Sequence, residues 1–295
     1  MARYNTVTVN AAGKLNLMLD IVGRHEDGYH ELETVMQSVD LYDTLTLWIN
    51  GRGENEIICS KEGFPCDSSN LIWKAVDAFC AYTGTNTGGI SVRVEKRLPS
   101  MAGMAGGSAD CAATLGALNE MFDTRLSREQ LCDIGVKLGA DVPFCIVGGT
   151  QLCRGIGEKM QELKAPSCVF VVVKPEVSVS TPAAFKRYDS IIDPERCDTK
   201  GFVESLERGG TKEMCQKMFN ALEYACSPEE IDTAKRRLVS VGAQGALMTG
   251  SGSAVFGVFT DIRSAKHAFG ALKHSYTQVW VCNPASEGWV MTRYE

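Results

Sequence analysis

Residues 98–122, LPSMAGMAGGSADCAATLGALNEMF, gather four glycines and many alanines directly before a run with helical spacing. The first turn of a helix holds N–H groups without internal partners and the positive end of the helix dipole. An anion can approach there where no side chain blocks it. Gly103, Gly106 and Gly107 permit that approach and tolerate positive φ, and Ser108 adds a hydroxyl for a phosphate or its metal ion. Ala105 can present its N–H, but its Cβ disfavours a positive φ. Neither G-x-x-x-x-G-K-[ST] nor G-x-G-x-x-G occurs in the chain. Small residues also let a helix pack closely on a sheet, so the loop alone leaves both readings open.

Other segments carry groups of suitable type. In GKLNLMLD (13–20), strand alternation puts Leu15, Leu17 and Leu19 on one face and Lys14, Asn16, Met18 and Asp20 on the other. Lys14 and Asn16 then stand roughly 6–7 Å apart, pointing the same way. A solvated strand face explains that polar row as simply as a site does. Asp27-Gly28 signals a turn with Tyr29 and His30 at its exit, a ring and an imidazole that could hold a base or merely end a hairpin. Asp141, between Gly139 and Pro143, suits a general base, although Asp is common in turns for local reasons. Gly250, Ser251, Gly252 and Ser253 offer N–H and hydroxyl groups to a phosphate, or close an ordinary hairpin.

The elements that would position these groups follow from periodicity. TVTVN (6–10), KLNLMLDI (14–21), TLTLWI (44–49) and ISVRVE (90–95) alternate with period two and read as half-buried strands. Helical patterns begin near Asn70, Ser108 and Ser127, and Ser127 with Gln130 has the form of a capping box. Beyond Gly157 the order becomes a strand at 168–174, helices between about 183 and 240, the strands GALMT and AVFGVF, a helix and the strand QVWVC. That order is the split βαβ plan of a ferredoxin-like domain, with a boundary near residue 160.

Composition limits the partners. With 295 residues, 44% hydrophobic and 22% charged, the chain is long enough for two modest domains. A net charge of −6 argues against nucleic acid as the main partner, which leaves a small molecule as the substrate to expect. No apolar run approaches the roughly 20 residues of a membrane helix, and the first residues lack a signal-peptide plan. The expected location is the cytoplasm, with no membrane partner. The twelve cysteines form no C-x-x-C pair and read as reduced core residues.

Three segments occur in order: K-L-N-L in an early strand, P-x3-G-x-x-G-G-S before a helix, and T-G-S-G-S in a late hairpin. Together they resemble the three motifs of the GHMP kinase superfamily. DGYHEL, SNLIWKA, LGADVPF, GIGEKM and TPAAFK narrow the resemblance to members that phosphorylate a cytidyl-diphosphate sugar alcohol, and it runs from Lys14 to Phe256. The resemblance implies an α+β, two-domain GHMP kinase fold. A ribosomal-protein-S5-like ATP domain would span 1–160 and a ferredoxin-like α/β domain 161–295. It implies ATP and Mg2+ as cofactors and transfer of the γ-phosphoryl group to the 2-hydroxyl of the sugar alcohol, in the non-mevalonate route to isoprenoids.

The same resemblance implies roles for residues. Asp141 matches the catalytic aspartate that takes the hydroxyl proton, and Lys14 the lysine that keeps it ionised. Pro99, Gly103, Met104, Ala105, Gly106, Gly107, Ser108 and Ala109 match the loop around the ATP phosphates, with Asn70, Leu71 and Lys96 around the nucleotide. Ser108 is a candidate Mg2+ ligand, and no carboxylate is assigned to the metal. Tyr29 and Phe185 match a pair that sandwiches cytosine, His30 the residue that reads its edge, and Asn16, Ile156 and Thr181 neighbouring contacts. Kinases of homoserine or mevalonate are the alternative within the superfamily, disfavoured by residues suited to a cytosine. A non-catalytic nucleotide-binding relative is disfavoured by the presence of both Lys14 and Asp141. A monomer or a homodimer is expected.

Overall fold

The computed structural model describes residues 2–26, 28–225 and 228–295. Asp27 of the expected Asp-Gly turn and Cys226 lie outside the described residues. The two segments expected as separate early strands form one, β1 (Thr6–Arg24), which pairs antiparallel with β2 (His30–Ile49) in a long hairpin. β3 (Glu56–Cys59), α1 (Leu71–Thr83) and β4 (Ile90–Glu95) follow. Three helices come next: α2 (Gly106–Met121), α3 (Arg128–Gly135) and α4 (Val142–Val147). The hairpin β5 (Thr150–Gly155) and β6 (Lys159–Glu162) ends this half. The far end of β2 pairs with β4, and its near end, Leu32–Gln37, pairs with β5.

The second half runs β7 (Val169–Val173), α5 (Thr181–Tyr188), α6 (Thr199–Glu207), α7 (Thr211–Gln216), α8 (Ala221–Ala225) and α9 (Glu229–Ser240). It continues with β8 (Gly245–Met248), β9 (Val255–Phe259), α10 (Ile262–Leu272) and β10 (Val279–Cys282). Its antiparallel sheet has the order β10-β7-β9-β8, the expected split βαβ arrangement. The apolar run around β7 is explained by burial on both faces. Phe170 and Val172 join one core, while Val169, Val171 and Val173 join the other.

Two features depart from the sequence reading. The last strand, β11 (Trp289–Tyr294), returns to pair with β1, so the chain's end completes the seven-stranded first sheet. The row of polar residues on β1 is not a solvated face: Lys14 is 4% exposed and Asn16 2%. A bulge between Asn16 and Met18 also breaks the assumed alternation. Met18 therefore packs with Leu15 and Leu17 in the first core, while Leu19 and Ile21 belong to the second. β1 thus carries its polar residues into the space between the two cores.

Candidate active site

That space is a cavity of about 1190 Å³, and the expected site residues line it, with the exceptions of Ala109 and Ser253. Ala109 points into the first core, fully buried, and its N–H is already used by the Ala105 carbonyl. It therefore offers nothing to a ligand.

Lys14 is held at the cavity floor by its own strand. Its ammonium donates to Asn16 Oδ1 at 2.6 Å, Asn16 Nδ2 donates to Thr34 Oγ1, and Thr34 Oγ1 donates to the Met18 carbonyl. Asp141 Oδ2 stands 3.8 Å from Lys14 Nζ, with the Asp141 side chain 40% exposed. Asp141 is the N-cap of the unforeseen helix α4, yet its side chain makes no capping bond. The carboxylate is therefore left facing the cavity and the lysine.

The glycine loop adopts the strained shape that a Cβ at 105 was expected to oppose: Ala105 has φ 57° and is the N-cap of α2. A left-handed alanine costs about 1–2 kcal/mol. The surrounding contacts hold it, with Lys14 N donating to the Met104 carbonyl and Ala109 N to that of Ala105. The glycines have different reasons to be there. A Cβ on Gly103 would lie 2.0 Å from the Thr249 carbonyl oxygen, so this glycine permits the late hairpin to touch the loop. A Cβ on Gly107 would meet only Leu71 Cδ1, at 3.8 Å, so its side is open to the cavity. Close packing explains one glycine, and open space for a ligand explains the other.

Several expected nucleotide residues have internal duties. Asn70 caps α1, accepting from Ile72 N, and its amide donates to the Pro65 carbonyl. Lys96 is buried between Asp43, which it contacts closely, and Asp110, whose Oδ2 is 2.6 Å away. Asp43 Oδ1 also accepts from Arg97 N and Leu98 N, which fixes the entry to the loop. Burial works against the Lys96 charge, but Asp110 and Asp43 outweigh it and leave its pKa above the usual value. Burial raises the Asp110 carboxyl to about 8 against the pull of Lys96. Asp110 Oδ1 is buried without a hydrogen-bond partner.

At the other end, Tyr29, 60% exposed, lines the cavity together with Phe185. Phe185 stacks on the His30 ring, centroids 4.8 Å apart, and His30 Nε2 lies 2.6 Å from Asp189 Oδ1. Thr181 shares a 2.6 Å hydrogen bond with Ser251. Ser253, by contrast, is fully buried and donates to the Val177 carbonyl, so it closes the hairpin and does not face a phosphate. Thr249, which the sequence reading missed, accepts from Asn16 N and donates to the Gly103 carbonyl, so it ties all three motifs together. Its position directly before Gly250 was the available signal.

A cavity between an N-terminal and a C-terminal α+β unit, lined by a lysine-bearing strand, a glycine-rich helix start and a late glycine-serine hairpin, places the chain among the GHMP small-molecule kinases. The family model described as GHMP kinases N terminal domain matches residues 70–149, and that described as GHMP kinases C terminal matches 202–278. A Clostridium acetobutylicum protein named 4-diphosphocytidyl-2-C-methyl-D-erythritol kinase is 38% identical over 278 residues, covering 93% of this chain and 99% of its own. A crystal structure of 4-(cytidine 5'-diphospho)-2C-methyl-D-erythritol kinase matches with a TM-score of 0.77 at 30% identity, covering 93% of this chain and 98% of that one. The homoserine kinase of Cytophaga hutchinsonii shares the fold, with a TM-score of 0.80 at 19% identity over 99% of both chains. The chain belongs to the GHMP kinase superfamily and, within it, to the family of 4-diphosphocytidyl-2-C-methyl-D-erythritol kinases.

Proposed function

We propose that the chain transfers the γ-phosphoryl group of ATP to the 2-hydroxyl of 4-diphosphocytidyl-2-C-methyl-D-erythritol, a step of isoprenoid precursor synthesis. The observation that carries this reading is the buried Lys14 with Asp141 3.8 Å away, in one cavity with the glycine loop and the rings of Tyr29, His30 and Phe185. Phosphoryl transfer passes through a loose transition state that needs positioning and charge neutralisation more than covalent help. Asp141 accepts the hydroxyl proton, and Lys14 stabilises both that carboxylate and the oxygen losing the proton. The N–H groups from Gly103 to Ser108 receive the phosphates, and Asn16, Ile156 and Thr181 line the path of the sugar alcohol.

Magnesium, when bound with ATP, neutralises phosphate charge. No group of three His, Cys, Asp or Glu suited to a metal is present among the described residues. That fits an ion carried mainly by phosphates and waters, as Mg2+ commonly is, with the Ser108 hydroxyl as the chain's offering. We assign the ATP unit to residues 1–160 and the second unit to 161–295, with β11 lent back to the first sheet. The expected state is a monomer or a homodimer. We place the reaction in the cytoplasm, a location that suits the free thiols of the described cysteines.

The test is ADP release with ATP, Mg2+ and the cytidyl substrate, run beside homoserine, mevalonate and the Asp141→Asn variant. Turnover confined to the cytidyl substrate, reduced about 10²–10⁴-fold in the variant, is expected. Absence of turnover with every alcohol despite ATP binding would overturn the assignment.

A further inference from the structure

His30 has two ring nitrogens, and the structure uses them unequally. Nε2 is 2.6 Å from Asp189 Oδ1. Among the described residues no hydrogen-bond partner is recorded for Nδ1, and His30 lines the cavity. Asp189 is itself held, its Oδ2 lying 3.3 Å from Arg24 Nη1. Phe185 and Asp189 stand one helical turn apart, at the body and the C-cap of α5. The helix therefore grips the imidazole by its face and by one edge.

We propose that Asp189 is a positioning residue that selects a cytosine over a uracil base by fixing the tautomer of His30. This rests on the reading of the substrate as a cytidyl diphosphate. A carboxylate only accepts, so Nε2 must carry the proton, and in the neutral ring Nδ1 is then the acceptor. Cytosine presents an exocyclic amine, a donor, where uracil presents a carbonyl oxygen. An Nδ1 acceptor attracts the first and repels the second. A carboxylate placed on the other nitrogen would reverse the preference.

Long-range 1H–15N NMR of the ligand-free protein at pH 8, with His30 assigned from the His30→Gln variant, reads the tautomer without any substrate. The wild type is expected to show the Nε2–H form, Asp189→Ala a mixture of tautomers, and Asp189→Asn a shift toward the Nδ1–H form, because Arg24 can only donate and takes the amide oxygen, which turns the amide NH2 toward Nε2. Steady-state kinetics with the cytidine-diphosphate sugar alcohol and its uridine counterpart complete the test. Asp189→Ala should lose about tenfold of the discrimination, in KM for the sugar alcohol and not in KM for ATP, and Asp189→Asn should lose at least as much. An Nδ1–H signal in the wild type, or an unchanged base preference in Asp189→Ala, would overturn the proposal. Failure of the kinase reading itself would appear separately, as absence of turnover with a tautomer signal still intact.

Discussion

Lys14 and Lys96 line the same cavity, and each side chain is 5% exposed, yet their surroundings differ in kind. Lys96 lies between two carboxylates that are themselves buried, 0% and 1% exposed. Lys14 has one carboxylate, 3.8 Å away and 40% exposed, and otherwise a neutral amide. The charge of Lys96 is consumed inside the protein, where it helps Asp43 hold the backbone that enters the glycine loop. The charge of Lys14 is left to act on whatever enters the cavity. A buried lysine is chemically available in proportion to what its partners leave over, so burial alone does not identify a catalytic residue.

The largest expected effect separates the two lysines by activity. Lys14→Met should lower kcat by about 10²–10⁴-fold, because the proton transfer and the developing charge lose their support. Its urea unfolding midpoint should stay level or rise, since an apolar chain replaces a buried charge that lacks a close ionic partner. Next in size, Lys96→Met should cost about 3–5 kcal/mol of stability, because Asp43 and Asp110 are left buried together without a cation. The folded fraction of Lys96→Met should turn over far better than Lys14→Met. The comparison breaks if Lys96→Met unfolds like the wild type and instead loses affinity for ATP, for Lys96 would then be a ligand group.

The sequence showed much of the local structure and little of this difference. Asn70 and Ser127 announce their helices because capping is a local interaction, and both cap as expected. The three motifs were legible because close approach of the glycine loop to the late hairpin constrains residue type at fixed spacing. The partners of Lys96 were not legible. Asp43 and Asp110 lie 53 and 14 residues from Lys96 and carry no motif of their own. The polar row of β1 looked like a solvated face because nothing in its alternation shows that a second domain covers it. β11 was missed because four of its six residues stay exposed, which weakens its apolar pattern. Asp189 sits at a helix end, where Asp is unremarkable, and its partner His30 is 159 residues away.

The remaining expected effect, a slope with pH and not a loss of activity, concerns how the Lys96 cluster is balanced. If both carboxylates were ionised, the cluster would carry a net negative charge beneath the glycine loop. Burial raises Asp110 to about 8, and an unpartnered Oδ1 is less costly on a neutral acid than on a carboxylate. In the unfolded chain an Asp titrates near ~3.9, so between that pH and about 8 the native state holds a proton the unfolded state has released. The stability this contributes is present in full below the unfolded value and is lost as pH rises through the folded one. Asp110→Asn accepts from Lys96 without titrating, so its stability should lack that fall. Urea midpoints of the two proteins, measured from pH 5 to pH 9, should therefore diverge with rising pH in favour of the variant. Parallel curves would mean that Asp110 is ionised throughout, and Lys96 would then face two full negative charges, which makes its contrast with Lys14 sharper still.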